Sequence, residues 1–176
     1  MQHFRVKIFA VSADGVDIAQ AIPVFHRWIQ QRALPEMLID VADYGHVPAG
    51  PGVLLVGHDS HYSLDLCQHR LGLLYSRRTA ADGSVADRIA DAIDRASAAA
   101  AKIAAEPEFA GRLRFDANEL EIGVNDRLLA PNTPASVAGI EPHLRAVLDL
   151  RWGAGAYSLD STGEPRELLT LRARRA

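Results

Sequence analysis

The alternation of apolar and polar residues along the chain predicts a series of short strands. Residues 4–11 alternate with a period of two, which is typical of a strand with one buried face. Residues 52–56 are instead continuously apolar, and such a run indicates a strand buried on both faces. The other strand candidates are residues 37–41 and 71–77, a hairpin of residues 113–115 and 120–124, and a C-terminal pair of residues 156–159 and 167–172.

Apolar residues spaced three and four positions apart predict three helices. Ser84 with Asp87 three positions later resembles a capping box, in which each side chain binds the backbone amide of the other residue. Thr133 followed by Pro134 is typical of a helix start, because proline is tolerated at the first helical position. The predicted helices cover residues 18–33, 85–105 and 134–151.

The order of these elements favours an α+β fold, because few helices connect one strand regularly to the next. We expect a mixed, largely antiparallel sheet with about three helices packed on it. The tetrapeptide Tyr-Ser-Leu-Asp occurs at residues 62–65 and again at residues 157–160, which indicates two pseudo-repeated lobes. The predicted division is a first lobe at residues 1–80, a linking helix within residues 81–111 and a second lobe at residues 112–176, with one compact domain over residues 1–176 as the alternative.

The composition excludes several classes of protein. Of the 176 residues, 48% are apolar, which is enough to build a core. A net charge of −3 provides no general field to attract nucleic acid or an anionic membrane, so we expect neither as a partner. Cys67 is the only cysteine, which rules out a disulfide within the chain. No signal-peptide pattern follows Met1, and no apolar run reaches the roughly 20 residues that cross a bilayer, so we expect a cytoplasmic protein.

Histidine and aspartate are concentrated in one part of the chain. Four of the seven histidines lie within residues 40–69, and imidazole with carboxylate suits a divalent transition metal such as zinc, iron or manganese. His46, His58 and His61 are the candidate ligands. In an extended strand His58 and His61 face opposite sides, so both can bind one metal only if the chain coils after Gly57. The alternative is a polar loop whose histidines are solvated or hydrogen-bonded.

The same segment contains two candidate catalytic residues, Asp59 and Ser60. Residues 57–61 follow an apolar strand and resemble the turn that carries the nucleophile in α/β hydrolases. That turn needs a glycine two residues after the nucleophile, and neither Asp59 nor Ser60 has one. In a metal-dependent enzyme, Asp59 would serve as a ligand or a base while the metal activates water.

A third candidate site lies in the second half of the chain. Residues 125–133 form a loop before a predicted helix, and the amino terminus of a helix accepts anions through its free backbone amides. Arg127 and Thr133 would bind such an anion. The alternative is a structural loop in which Leu128 and Leu129 fill the core.

Three functions fit these observations. The favoured one is a small cytoplasmic binding or assembly protein, whose partner is a second copy of itself or another protein, because no catalytic spacing is specific. The first alternative is a metal-dependent hydrolase or lyase that uses the segment from His58 to His61. The second alternative is a regulatory module that binds a small anionic ligand near Arg127 and Thr133.

Overall fold

The computed structural model describes residues 1–13 and 15–176, and within them it contains eight strands and three α-helices. The strands are β1 (Phe4–Ser12), β2 (Leu38–Tyr44), β3 (Gly52–Gly57), β4 (Ser60–Asp65), β5 (Gly72–Arg77), β6 (Arg114–Val124), β7 (Tyr157–Thr162) and β8 (Thr170–Arg175). The helices are α1 (Ala21–Gln31), α2 (Val85–Ala105) and α3 (Pro134–Trp152). None of the helices in these residues is both long enough and apolar enough to span a bilayer.

All eight strands belong to one sheet with the order β2-β3-β4-β5-β1-β6-β8-β7, and each neighbouring pair is antiparallel. The predicted α+β class, a largely antiparallel sheet with three helices packed on it, is therefore confirmed. The central strand β1 pairs with β5 on one side and with β6 on the other. A single hydrogen-bonded sheet thus runs through both of the predicted lobes.

The two Tyr-Ser-Leu-Asp segments both lie in strands. The first occupies β4, which has a neighbour on each side, and the second occupies the edge strand β7. In both copies the tyrosine is buried and belongs to the core. The pseudo-repeat itself stays a prediction.

Helix α2 forms where the sequence indicates, because its first turn is capped from both sides. Ser84 Oγ accepts a hydrogen bond from the backbone amide of Asp87 at 3.2 Å, and the Asp87 carboxylate accepts one from the amide of Ser84 at 2.9 Å. These two bonds satisfy amides that the helix itself leaves free. Buried isoleucines and alanines then line one face along the whole helix.

The sequence prediction is wrong in two places in the sheet. Residues 113–124 do not form a hairpin: residues 114–124 are the single strand β6, and the polar residues between Phe115 and Leu120 lie where its pairing with β1 shifts register. A bulge absorbs residues that would otherwise form a turn. Strand β4 was not predicted, because polar residues interrupt its apolar pattern.

The sheet has two different faces. Residues that alternate with Val6 and Ile8 point toward the helices, and one continuous cluster of buried side chains fills this helix-covered face. The buried residues of α1, α2 and α3 all belong to this cluster. In the described part of the chain no α-helix covers the opposite face, to which Arg5, Lys7 and Phe9 of β1 point. We call it the helix-free face.

Candidate functional site

One half of the helix-free face carries a patch of apolar side chains from β2, β3 and β5, interrupted by Ser63 and His61 of β4. Leu54 on β3 and Leu74 on β5 flank Ser63 on β4 in register, and all three side chains lie in a line across the strands. Leu54 and Leu74 are half-buried although none of the α-helices in the described residues packs on them. Together with Ala42, Tyr44 and Val56 they form what we call the apolar patch.

The other half of this face is charged, and its side chains form a row across β4, β1, β6 and β8. The charges alternate in sign from Asp65 through Lys7 and Glu121 to Arg172. Lys7 Nζ lies 2.5 Å from Asp65 Oδ2, and the two side chains are only 2% and 1% exposed. Arg172 Nη2 lies 2.8 Å from Glu121 Oε2. We call these four residues the charged row.

Two glycines allow basic side chains of β1 to cross the neighbouring strands. Lys7 reaches Asp65 on β4 by lying over Gly72 of β5, where a Cβ would come within 2.7 Å of Lys7 Cε. Arg5 lies over Gly123 of β6 in the same way, and a Cβ there would meet Arg5 Cγ at 2.9 Å. Because Gly72 and Gly123 have no side chain, Lys7 and Arg5 can lie across them and place their charged groups over the neighbouring strands.

The connection between β4 and β5 covers one end of the charged row. The backbone carbonyl of Cys67 accepts a hydrogen bond from Lys7 Nζ at 3.0 Å. Arg70 stacks on the ring of Phe9, with Cζ 3.8 Å from the ring centroid, and its guanidinium binds Glu119 at 2.9 Å. Phe9 is consequently 1% exposed on a face that has no helix in the described residues. Burial raises the pKa of the Cys67 thiol, which therefore stays protonated at neutral pH.

The structure does not bring the three candidate metal ligands together. His46 is exposed in the connection between β2 and β3, whereas His58 is exposed in the turn between β3 and β4. These two connections lie at opposite ends of β3, which at about 3.3 Å per residue puts them roughly 20 Å apart. Residues 1–13 and 15–176 contain no group of three or more His, Cys, Asp or Glu side chains arranged to hold a metal ion.

His61 belongs instead to the helix-free face. It lies on β4 between Val56 of β3 and Ser76 of β5. Its Nδ1 is buried and has no hydrogen-bond partner among the described residues. Burial, assisted by the nearby Arg78 guanidinium, lowers the pKa of His61, so the ring is neutral at neutral pH. A neutral imidazole with an unused nitrogen thus lies beside the apolar patch.

Asp59 and Ser60, the two candidate catalytic residues, both make structural contacts. Asp59 Oδ1 accepts a hydrogen bond from the Thr79 hydroxyl at 2.9 Å. Ser60 is fully buried, and its hydroxyl donates a very short hydrogen bond to Glu36 Oε1. A hydroxyl in this position is not open to a substrate, because it lies beneath the turn between β3 and β4.

Glu36, which precedes β2, is the centre of this buried cluster. Its carboxylate accepts hydrogen bonds from the backbone amide of Ser60 at 3.1 Å and from the hydroxyl of Tyr62 at 2.7 Å. Arg95 of α2 lies 3.9 Å away. Burial and then the Glu36 carboxylate raise the pKa of the Tyr62 phenol, which keeps its proton and remains a donor. The cluster therefore fixes the turn between β3 and β4 to the segment before β2.

Arg127 and Thr133 lie in neighbouring but separate cavities. Thr133 caps α3: its Oγ1 accepts a hydrogen bond from the backbone amide of Ser136 at 3.3 Å. Arg127 lies in a polar cavity of about 430 Å³, together with Arg5 and Arg166. Arg127 thus has two other arginines as neighbours, and the joint binding of an anion by Arg127 and Thr133 stays a prediction.

Sequence reasoning missed Glu36, Arg5 and Arg166. For Arg5 a signal is present, because its alternation with Phe4 and Val6 assigns it to the face opposite the core. Glu36 and Arg166 lie in connecting segments without periodicity, and only the folded chain shows what they contact.

The fold and these sites define the class: an α+β protein whose antiparallel sheet is covered by helices on one face. Comparison with known proteins gives no closer assignment, since neither a protein-family model nor a curated protein matches this chain. The physical evidence on function therefore comes from the helix-free face and the cavity that adjoins it.

Proposed function

We propose that this chain is a cytoplasmic protein-binding module that receives a second protein on its helix-free face. The observation that carries this proposal is the apolar patch. On a sheet face that contacts only water, the outward-pointing side chains are normally polar. Here Leu54 and Val56 lie two residues apart on β3, and Leu74 lies on β5 on the other side of Ser63.

The size of the face limits what the partner must cover. Strands lie about 4.8 Å apart, so eight strands with about five residues each give a flat area of roughly 650 Å². A stable protein complex buries about 800 Å² on each partner. The apolar patch occupies only about half of the face. A partner that binds stably must therefore contact the charged half of the face, and residues beyond its edge, as well as the patch.

This composition specifies the chemistry of the partner. Its contact surface is apolar where it meets Leu54 and Leu74, and it offers charged or polar groups where it meets the exposed side chains of Arg174 and Asp160. A second copy of this chain turned by a two-fold axis across the strands meets the same description, patch against patch.

The experiment compares lysine substitutions inside and outside the patch. Leu54→Lys and Val56→Lys place a cation on the patch, whereas Leu150→Lys places one on α3, where the leucine is already 90% exposed. Sedimentation equilibrium measures self-association, and cross-linking in cells followed by mass spectrometry identifies residues in contact with other chains. We expect the two patch variants to lose the association or the cross-links and the Leu150 variant to keep them. A monomeric wild-type protein without cross-links on β2–β5 would contradict the proposal.

A further inference from the structure

We infer that the cavity between β6, β8 and the connection from β4 to β5 binds the phosphate group of a small phosphorylated molecule. The cavity has a volume of about 430 Å³, which lies within the range of small-molecule sites. Three guanidinium groups line it, from Arg5, Arg127 and Arg166. This site is distinct from the apolar patch and does not depend on the proposed protein partner.

Arg5 is directed into the cavity by the strand beside it. Its side chain crosses Gly123, whose neighbour on β8 is Thr170, and Thr170 is another residue of the cavity wall. Arg5 is 21% exposed at its side chain, and the nearest carboxylate oxygen, of Glu121, is 3.6 Å away. At this distance the Arg5 guanidinium still has donors to give to a ligand.

Arg127 and Arg166 come from the two loops that form the outer wall. Arg127 Nη1 donates a hydrogen bond to the backbone carbonyl of Arg166 at 2.6 Å, which holds the two residues together. The other nitrogens of Arg127 and the whole guanidinium of Arg166 are in none of the ion pairs formed by residues 1–13 and 15–176. Five N–H donors in a planar fork are suited to phosphate oxygens.

The charge balance favours an anion. The carboxylates in the cavity wall are those of Glu121 and Glu167, so the three arginines of the wall leave a net charge of +1. Arg172 lies outside the wall and pairs with Glu121 at 2.8 Å, which leaves more of the positive charge of the wall for a ligand. A phosphate monoester carries about −1.5 to −2 charges at pH 7 and is attracted to this wall.

The arrangement of the arginines favours phosphate over carboxylate. One guanidinium fork satisfies a carboxylate, whereas a phosphate monoester presents three oxygens that accept donors from three directions. The three arginines reach the cavity from β1, from the loop after β6 and from the loop before β8. Donors from three separate segments therefore match the tetrahedral arrangement of the phosphate oxygens.

Isothermal titration calorimetry with inorganic phosphate and with glycerol 3-phosphate tests this site. We expect both compounds to bind the wild-type protein, and Arg127→Ala or Arg166→Ala to weaken binding at least about tenfold, because each removes a charge-assisted donor. Arg166→Lys keeps the charge but loses the fork, so it should bind with intermediate affinity. Arg175→Ala is the matched control, since Arg175 is exposed at the chain end away from the cavity and should leave binding unchanged.

Gly123→Ala tests the position of Arg5 without removing a charge. The three atoms nearest to the added Cβ all belong to the flexible side chain of Arg5, so the protein should fold while Arg5 is displaced and phosphate binds more weakly. Circular dichroism and the melting temperature without ligand check the fold of each variant. Absence of heat up to about 10 mM phosphate, or equal affinity in the Arg166→Ala and Arg175→Ala variants, would overturn the inference. Leu54→Lys should bind phosphate normally, which separates this site from the proposed protein contact.

Discussion

At the scale of single residues, the ion pair between Lys7 and Asp65 has the largest expected effect on stability. Both side chains are almost fully buried, so removal of one partner leaves a charge without a counterion in a region that excludes water. We predict that Lys7→Met lowers the free energy of unfolding by about 3–5 kcal/mol. Urea denaturation at neutral pH measures this difference.

The double variant Lys7→Met/Asp65→Leu is the control for this prediction. It removes both charges and replaces them with apolar groups, which is often nearly neutral for a buried pair. The double variant should therefore be more stable than Lys7→Met alone. A double variant that is less stable than Lys7→Met would contradict this prediction. It would show that the attraction between the two charges exceeds the cost of removing them from water.

The half-buried His61 of the helix-free face predicts a pH dependence of stability. The pKa of His61 is lowered in the folded state, chiefly by burial, so the unfolded chain binds more protons below its pKa of about 6.5. The contribution of His61 to stability is thus complete above pH 6.5 and is lost as the pH falls below that value. We predict a shallower decrease in the free energy of unfolding between pH 7 and pH 5 for His61→Gln than for the wild type, measured by urea denaturation. His143→Gln, at an exposed position of α3, should leave the slope unchanged.

The charged row shows which part of a site can be predicted from sequence. Period two along β1 puts Arg5 and Lys7 on one face, and the same rule applied to β6 and β8 puts Glu121 and Arg172 on a single face of their strands. The sequence does not reveal that β1 lies between β5 and β6, so these residues cannot be joined into one row from their positions alone. Strand order, which depends on pairing between distant segments, supplies this information.

At the scale of elements, the capping box of α2 gives a matched pair of substitutions. Ser84→Ala removes the side chain that accepts the amide of Asp87, and loss of such a cap costs about 1 kcal/mol. Ser97→Ala makes the same change in the middle of the helix, where Ser97 Oγ only binds the carbonyl of Ile93. Alanine favours the helix there, so Ser97→Ala should be neutral or slightly stabilising. Thermal unfolding followed by circular dichroism compares the two variants, and equal melting temperatures would contradict the role of the cap.

The success of sequence reasoning differs among the elements for a physical reason. Helix α2 was predicted from residue 85 to about residue 105 and covers Val85–Ala105, because its cap and its apolar stripe are both local in sequence. Strand β4 was missed, and strand β6 was divided into a hairpin. The positions of their polar residues are explained only by the strands with which they pair. In β6 the register shift against β1 absorbs the polar residues that resemble a turn. Local signals predict helices well, whereas strands depend on contacts that the linear pattern does not contain.

At the scale of the whole molecule, the helices divide the sheet into a face for folding and a face for contact. The helix-covered face buries the core, and it also buries the cluster around Glu36 that includes the candidate nucleophile Ser60. The helix-free face carries the apolar patch, the arginine cavity at its end and, between them, the charged row, of which Lys7, Asp65 and Glu121 are buried. The proposed protein contact and the inferred phosphate site therefore share one surface, and they meet at Glu121, which belongs to both the charged row and the cavity wall.

The continuous sheet predicts that the chain unfolds as one cooperative unit. Central strand β1 forms ladders with both β5 and β6, and residues of all three helices join one core. A cut between residues 111 and 112 would separate β6 from its partner β1, and α3 from α2. We therefore expect the fragments of residues 1–111 and 112–176 each to be unfolded alone. Differential scanning calorimetry of the full chain should show one transition with equal calorimetric and van't Hoff enthalpies. Two separate transitions, or a folded fragment of residues 1–111 by circular dichroism and amide exchange, would show instead that the two predicted lobes are independent.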